Sequence, residues 1–437
     1  MQKFCIILAL LIVLPAFSQD FFESLETEDA STLPYELNGF MRGAFFAGRG
    51  VDSDELVQKS GYGELGLKMR VRKESWGDGY AEVRFRRGQE FNEPLSEFRL
   101  REAYVNTYLG TFDLRVGQQI VVWGRADGFN PTNNITPQDM TLRSSVEDDR
   151  RLGNFLFRGT YNFQPFNLEM IWVPQYRPSV LPTRLFPFPD FVRLGREDNP
   201  SSELDNSSVA AKLDMNVSAL DGSISYFRGY MPLPGVFLHP DSIDVTDGFQ
   251  ATVVNKPYQM QVLGADFSTT VGSFGLRGEI AYRMPVEDYE DELNAHVPNP
   301  DLQYVLGMDR SMGNFSIIVQ YIGRYVFDFT EFEGTGLPTD QLYITNLMIS
   351  GQLDEMSHAV FMRPALTLRH ETLDIELLGY YNVTTEETLL RPLIAYDITD
   401  AMTFKVGGEF YAGPENTLFG SIDKGLSSAF VELGVSF

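Results

Sequence analysis

Guanidinium and carboxylate side chains crowd the first third of the chain, where they take turns with apolar residues. Arg70, Arg72, Arg84, Arg86, Arg99, Arg101 and Arg115 stand there with Glu64, Glu82, Glu102 and Asp113 among them. A row of guanidinium forks offers paired hydrogen bonds to an anion, so one reading is a basic wall for an anionic or hydroxylated solute. The other reading is a ladder of cross-strand arginine–carboxylate pairs that fills and stiffens a wall. Acids nearly balance bases in this stretch, and the sequence leaves both open.

Bond-making chemistry finds little support. The four histidines, His239, His296, His358 and His370, are scattered, and His370-Glu371 is followed by Thr372-Leu373-Asp374 without the second histidine of a zinc-protease helix. Gly61, Gly63 and Gly66 have the spacing of a dinucleotide loop, but they open an alternating segment with no strand-to-helix turn. The acidic run Glu287-Asp288-Tyr289-Glu290-Asp291-Glu292 reads as a solvated loop rather than a cation site. The expectation is a protein that is not an enzyme, with no cofactor and no bound metal.

What positions the charged rows is a period of two. Leu65, Leu67, Met69 and Val71 alternate with Glu64, Lys68, Arg70 and Arg72, and Ala81, Val83 and Phe85 with Glu82, Arg84 and Arg86. The dyad returns at Val209–Val217, Phe274–Arg283, Leu373–Leu377 and Met402–Phe410. One face is greasy and the other polar, which is the signature of strands. Breaks delimit about 18 strands of ~10 to 14 residues, with 16 as the alternative count, the length a tilted membrane-crossing strand needs. Short connections (Trp76–Gly79, Gly110-Thr111, Gln164-Pro165, Leu220–Gly222, Val271–Ser273, Met312-Gly313, His370-Glu371, Thr399-Asp400) alternate with longer ones. The long set is residues 49–60, 126–150, 179–206, 235–255, 286–299, 330–355 and 414–426, with shorter members near Phe91 and Thr384. The predicted fold is all-β: a single antiparallel up-and-down transmembrane barrel over residues 35–437, with tight periplasmic turns and long external loops. Aromatics near strand ends, among them Tyr62, Tyr80, Tyr108, Trp123, Tyr161, Trp172, Tyr321 and Tyr411, suit either interfacial girdles or ordinary strand packing.

Residues 1–18 carry Lys3, the apolar run Phe4–Leu14 and Ala16-Phe17-Ser18, which reads as a signal peptide cleaved after Ser18. Residues 19–34 then form a short acidic periplasmic segment. Cleavage would remove the single cysteine, Cys5, and take the formal charge from −25 to −26, a balance that argues against nucleic acid. No later apolar run approaches the length of a membrane helix, so strands must do any crossing.

Residues 100–130, LREAYVNTYLGTFDLRVGQQIVVWGRADGFN, form a hairpin pattern that resembles large outer-membrane porins. It is similar to the alginate-export and phosphate-selective porin families, and to barrels that accompany exporters of the resistance-nodulation-division class. The final strand, with Ala429, Val431, Leu433 and Val435 on one face and Phe437 at its end, resembles the terminal signature read by the barrel assembly machinery. The resemblance implies an outer-membrane location. Two loops are candidate constrictions: residues 179–206, whose Phe186, Phe188 and Phe191 would enter the lumen or pack on a neighbouring protomer, and the polar residues 126–150. The leading expectation is a porin-like channel for passive diffusion of small polar or anionic solutes. The alternatives are an export-linked transporter of hydrophobic or lipid-like cargo, and a structural or adhesive barrel with an occluded lumen. Expected partners are outer-membrane lipid, the assembly machinery, a small solute and either a second copy of the chain or an exporter.

Overall fold

The computed structural model describes residues 35–51, 55–73, 77–183, 192–195, 197–238, 251–290, 295–334 and 340–437. Alternation becomes pairing along almost the whole chain. In order, the strands are β1 (Tyr35–Arg49), β2 (Leu56–Lys73), β3 (Gly77–Glu90), β4 (Glu93–Leu109), β5 (Phe112–Gln119), β6 (Asn154–Phe163), β7 (Phe166–Val173), β8 (Val192–Leu194), β9 (Ser208–Val217), β10 (Leu220–Tyr230), β11 (Gly235–Leu238), β12 (Ala251–Lys256), β13 (Gln259–Val271), β14 (Phe274–Pro285), β15 (Asp301–Met312), β16 (Phe315–Val326), β17 (Met356–Leu368), β18 (Leu373–Asn382), β19 (Glu387–Thr399), β20 (Met402–Ala412) and β21 (Ser428–Ser436). Eighteen of them form one antiparallel sheet, while β8, β11 and β12 form a separate small one. The large sheet closes on itself: β21 pairs with β1, Ser436 opposite Phe40 and Ala429 opposite Ala47. Closure leaves no open edge, so every strand finds its hydrogen bonds within the cylinder.

The burial pattern is inverted relative to a soluble protein. Met41, Phe45, Met69, Phe98, Leu263 and Leu306 are exposed on the outside, while Arg42, Glu64, Glu82, Asp266, Glu279 and Glu432 are buried inside. An uninterrupted apolar exterior around a polar interior is what a bilayer selects. Phe437 is tied to Gly39 by two main-chain hydrogen bonds of 2.8 and 3.0 Å, and its ring stays half exposed on the outside.

Eight short connections collect at one end of the cylinder, with both strand termini, and nine connections at the other, which include all the long ones. At the turn end, Gly110, Gly272 and Gly313 take φ of 69°, 64° and 61°, the left-handed backbone a two-residue turn needs. His370 and Glu371 also have positive φ and sit in a turn, not on a helix. The turn expected at Leu220–Gly222 lies instead at residues 218–219. Leu220, Asp221 and Gly222 already pair with β9, because a glycine between alternating residues is tolerated in a ladder. Of the turn expected at Trp76–Gly79, Gly77, Asp78 and Gly79 already pair with β2 in the ladder, and Trp76 lies outside the described residues. Of the expected girdle aromatics, Tyr161, Trp172 and Tyr321 are exposed on the outside, Tyr108 is half exposed on the inner face, where its hydroxyl donates to Asp78, and Tyr62, Trp123 and Tyr411 are buried in the interior. At the loop end, β11 and β12 form a hairpin that β8 joins in parallel. Helix α1 (Asp340–Ser350) clamps this hairpin: the Asn346 side chain exchanges hydrogen bonds of 2.7 Å with the Val236 N–H and carbonyl. Helix α2 (Leu418–Leu426) packs beside β20, its Thr417 cap accepting the Gly420 N–H.

Candidate functional site

The segment between β5 and β6, residues 120–153, leaves the wall and fills much of the lumen. Its apolar members Val121, Trp123, Ile135 and Leu142 are buried, as are Arg143, Ser144, Ser145 and Asp149. It soon makes a bend that only glycine permits: Gly124 has φ 91°, and a Cβ there would strike the side-chain oxygens of Asn130 and Glu279. From the bend the segment binds one side of the wall. Arg125 reaches Asp266 at 2.6 Å, the Arg125 and Ala126 N–H groups both donate to Glu279, and the Gly128 N–H donates to Gln320 at 2.8 Å.

It then crosses to the opposite side, where a short turn of 3-10 helix, Glu147–Arg150, aims its acids at the wall. Asp149 lies 2.6 Å from Arg42 and 2.6 Å from Arg84, and Ser144 donates to it. Burial alone would push this carboxyl up, but Arg42 and Arg84 hold it well below the ordinary carboxylate range. Arg150 and Arg143 converge on Glu409, at 2.5 and 3.5 Å, and Tyr411 donates to the same carboxylate at 2.6 Å.

This arrangement decides where the sequence-predicted residues fall. Glu64 is reached by Arg42 at 2.5 Å, Arg84 at 3.6 Å and Arg86 at 3.7 Å. Arg84 and Arg101 share Glu82, at 2.7 and 3.7 Å, and Arg99 bridges Glu97 and Asp139 at 2.7 and 3.1 Å. The register shifts between Glu82 and Val83 opposite β4, so the sequence neighbours Arg101 and Glu102 both face inward. Glu102 there accepts the Ile120 N–H at 2.8 Å, where the inward segment begins. Arg84, Arg86, Arg99, Arg101, Glu64 and Glu82 are thus brought together as a packed ionic knot that anchors the segment. Arg72 lies apart, 3.4 Å from Glu36 with both side chains largely exposed. Arg70 and Arg115 also stand outside the knot, over the rings of Tyr80 and Tyr104. Asp113 accepts from Asn162 at 3.1 Å. Phe186, Phe188 and Phe191 lie outside the described residues; nearby, Val180 pairs with the inward segment through Gln138 and Met140.

Open volume remains on the far side of the segment. Three cavities, of about 330, 360 and 280 Å³, lie between it and the wall formed by β16–β21 and β1. The first, toward the loop end, and the second share Glu147, Leu378 and Arg391. The second and the third, which reaches Lys68 and Ser436 toward the turn end, share Val146 and Lys405. Cations punctuate the wall along this route: Arg363 on β17, Arg391 on β19 and Lys405 on β20. Facing them on the segment are Glu147 and Asp148. The Arg391–Glu147 pair, 3.3 Å, spans the gap between wall and segment, and Arg363 pairs with Glu376 at 2.8 Å.

Sequence reading singled out neither Arg363 nor Arg391. Each is followed by proline, Pro364 and Pro392, and the ladders β17–β18 and β19–β20 skip those positions. Proline inside an interior strand removes a ladder donor and marks an irregular position. That arginine–proline dipeptide was the available signal.

A closed antiparallel barrel of 18 strands, polar within, apolar without and narrowed by one inward segment, has the fold of the outer-membrane porins. Its fold is shared with Acinetobacter baumannii OccAB3 (TM-score 0.54, 10% identity, 92% of this chain and 99% of that one). It is shared equally with Pseudomonas aeruginosa OccK8 (OprE) (0.55, 11%, 92% and 98%) and with Pseudomonas aeruginosa OpdK with vanillate (0.55, 8%, 92% and 98%). No curated protein matches the chain. Residues 43–333 match the family described as "Protein of unknown function (DUF1302)", and the chain belongs to that family.

Proposed function

We propose that the protein is an outer-membrane channel through which small polar or anionic solutes diffuse passively. The observation that carries this reading is the series of three neighbouring cavities, the first two sharing Glu147 and Arg391 in their lining and the last two Val146 and Lys405. Arg363, Arg391 and Lys405 on the wall, the first and last each beside a wall carboxylate, Glu376 and Glu432, face Glu147 and Asp148 on the segment and set up a field across the route. In a narrow space with low-dielectric walls, that field acts on charged solutes more strongly than in bulk water. An anion would pass along Arg391, Arg363 and Lys405, exchanging one cationic contact for the next without a deep trap. No bond is made or broken, and no cofactor enters.

The same reading places the long-loop end outside the cell and the turn end in the periplasm, after removal of residues 1–18 as a signal peptide. The assembly machinery would read Phe437. The hairpin's resemblance to alginate-export and phosphate-selective porins, and the vanillate described with OpdK, both favour anionic cargo. Swelling of liposomes containing the protein tests this. Potassium salts of small organic anions should enter faster than neutral sugars of equal size, and equal rates would refute the anionic reading.

A second reading draws on the first cavity, whose lining includes Phe129, Ile322, Met348, Leu353, Phe361 and Phe419. So apolar a chamber favours cargo with a hydrophobic body and, with an exporter as partner, outward transport. Liposomes that do not swell, together with saturable binding of a hydrophobic dye displaced by Phe361→Glu, would support it over passive diffusion.

A further inference from the structure

Besides Arg72, which pairs with Glu36, two inward-facing arginines of β2–β5 stand outside the ionic knot. Among the described residues, neither Arg70 nor Arg115 has a carboxylate oxygen within 4.0 Å, whereas Arg84, Arg86, Arg99 and Arg101 all do. They are linked instead through aromatic rings. The Arg70 guanidinium sits 5.6 Å from the centroid of Tyr80, Tyr80 and Tyr104 lie 5.4 Å apart at 34°, and the Arg115 guanidinium sits 4.4 Å over Tyr104. Register makes the row: Arg70 is opposite Tyr80, and Tyr80 is opposite Tyr104, on three adjacent strands. Tyr80 is oriented by donating its hydroxyl to Glu82 at 3.1 Å. The four side chains therefore form one belt, cation–ring–ring–cation, across the inner face near the turn end.

The belt adjoins the route. Lys68, two residues before Arg70 on the same face of β2, lines the third cavity, through which the route reaches the turn end. A guanidinium without a carboxylate partner is available to an external anion, and a pair of tilted, partly exposed phenol rings is a platform for a flat ring. The two arginines lie too far apart, with two rings between them, to grip one carboxylate jointly. Each can serve only as an end-stop for a molecule lying along the rings.

We infer that Arg70, Tyr80, Tyr104 and Arg115 form a second binding site of the channel, at its turn-end mouth, which takes organic anions carrying a planar ring. The ring lies on Tyr80 and Tyr104 and the charge meets Arg70 or Arg115. This deepens the channel reading and rests on it: the belt sorts ring-bearing anions from other anions of similar charge as they leave or enter that mouth.

Single-channel recording of the full chain tests it, with benzoate, cyclohexanecarboxylate or acetate added on the turn-end side and heat-modifiable gel mobility as the folding control. Benzoate should interrupt the current with a residence about tenfold longer than acetate, the size expected of two aromatic contacts. Tyr80→Leu with Tyr104→Leu should bring benzoate close to acetate, and Tyr80→Phe with Tyr104→Phe should restore the difference. Arg70→Gln with Arg115→Gln should shorten residence for all three acids. Benzoate indistinguishable from acetate in the unmodified protein, with anion preference intact, would overturn the belt and leave the channel standing. Protein that gel mobility shows to be folded but that passes no current would instead overturn the channel reading.

Discussion

Glu147 and Arg391 face each other across the gap between the inward segment and the wall, the guanidinium 3.3 Å from the carboxylate, and both line the two cavities that meet there. The carboxylate is largely exposed, so the pair is wet and contributes little to stability. Its consequence is positional: one acid half-neutralises the central cation of the route. Glu147→Gln should raise anion preference, read as a shift of reversal potential in a salt gradient, and Arg391→Gln should lower it. An unchanged potential in both variants would remove this pair from the selectivity mechanism.

The inward segment is held by Asp149 against Arg42 and Arg84 with little water access. Removing one partner of a buried ion pair typically costs about 3–5 kcal/mol, because the other is left without compensation. Asp149→Asn should therefore loosen the segment. Larger and noisier open-channel current, with a lower unfolding temperature, is the expected outcome; a quiet current of unchanged size would show that the segment is held by its remaining contacts.

On β19 the outward Ile394 sits near mid-strand and is about half exposed, while its neighbour Ala395 faces the lumen. Arginine on the lipid face near the bilayer centre costs about 2–4 kcal/mol. Ile394→Arg should lower refolding yield in lipid vesicles by that measure, and Ala395→Ser should not. Equal yields would contradict the assignment of faces.

His296 is buried under the loop-end hairpin, edge-on to Phe237, and neither ring nitrogen has a hydrogen-bond partner among the described residues. Burial, and then the charge of Lys256, push its pKa down to about 4. The phenols of Tyr258, Tyr289 and Tyr343 line the same small cavity. Since the folded loops hold the imidazole neutral and the unfolded ones do not, this packing is fully stable above about pH 6.5. It weakens progressively as pH falls toward 4. Hydrogen exchange of residues 231–238 and 295–300 should accelerate between pH 6.5 and 4, and His296→Phe should abolish that dependence. Exchange that ignores pH would exclude His296 as its cause.

Strand number and topology were readable because the dyad fixes faces and glycine turns fix ends; both are local signals. The destination of the arginines was not local. Arg84, for example, meets Asp149, 65 residues away on a segment that leaves the wall, and no periodicity reports such a contact. Of the two loops expected to narrow the lumen, residues 126–150 lie within the segment that does so. What the sequence did not show was its fastening, since a polar loop reads as solvated, whereas the buried Asp149 is satisfied by Arg42 and Arg84 of the wall rather than by water. Arg391 escaped notice because its strand places Leu389, Leu393 and Ala395 on the same inner face, which reads as apolar rather than as a charged wall.

The central claim is a continuous water route between the inward segment and the wall of β16–β21. Recording purified full-length protein in a planar bilayer tests it most directly: discrete conductance steps carrying an anion preference are the expected result. A protein that inserts fully folded yet passes no current at any voltage would contradict it.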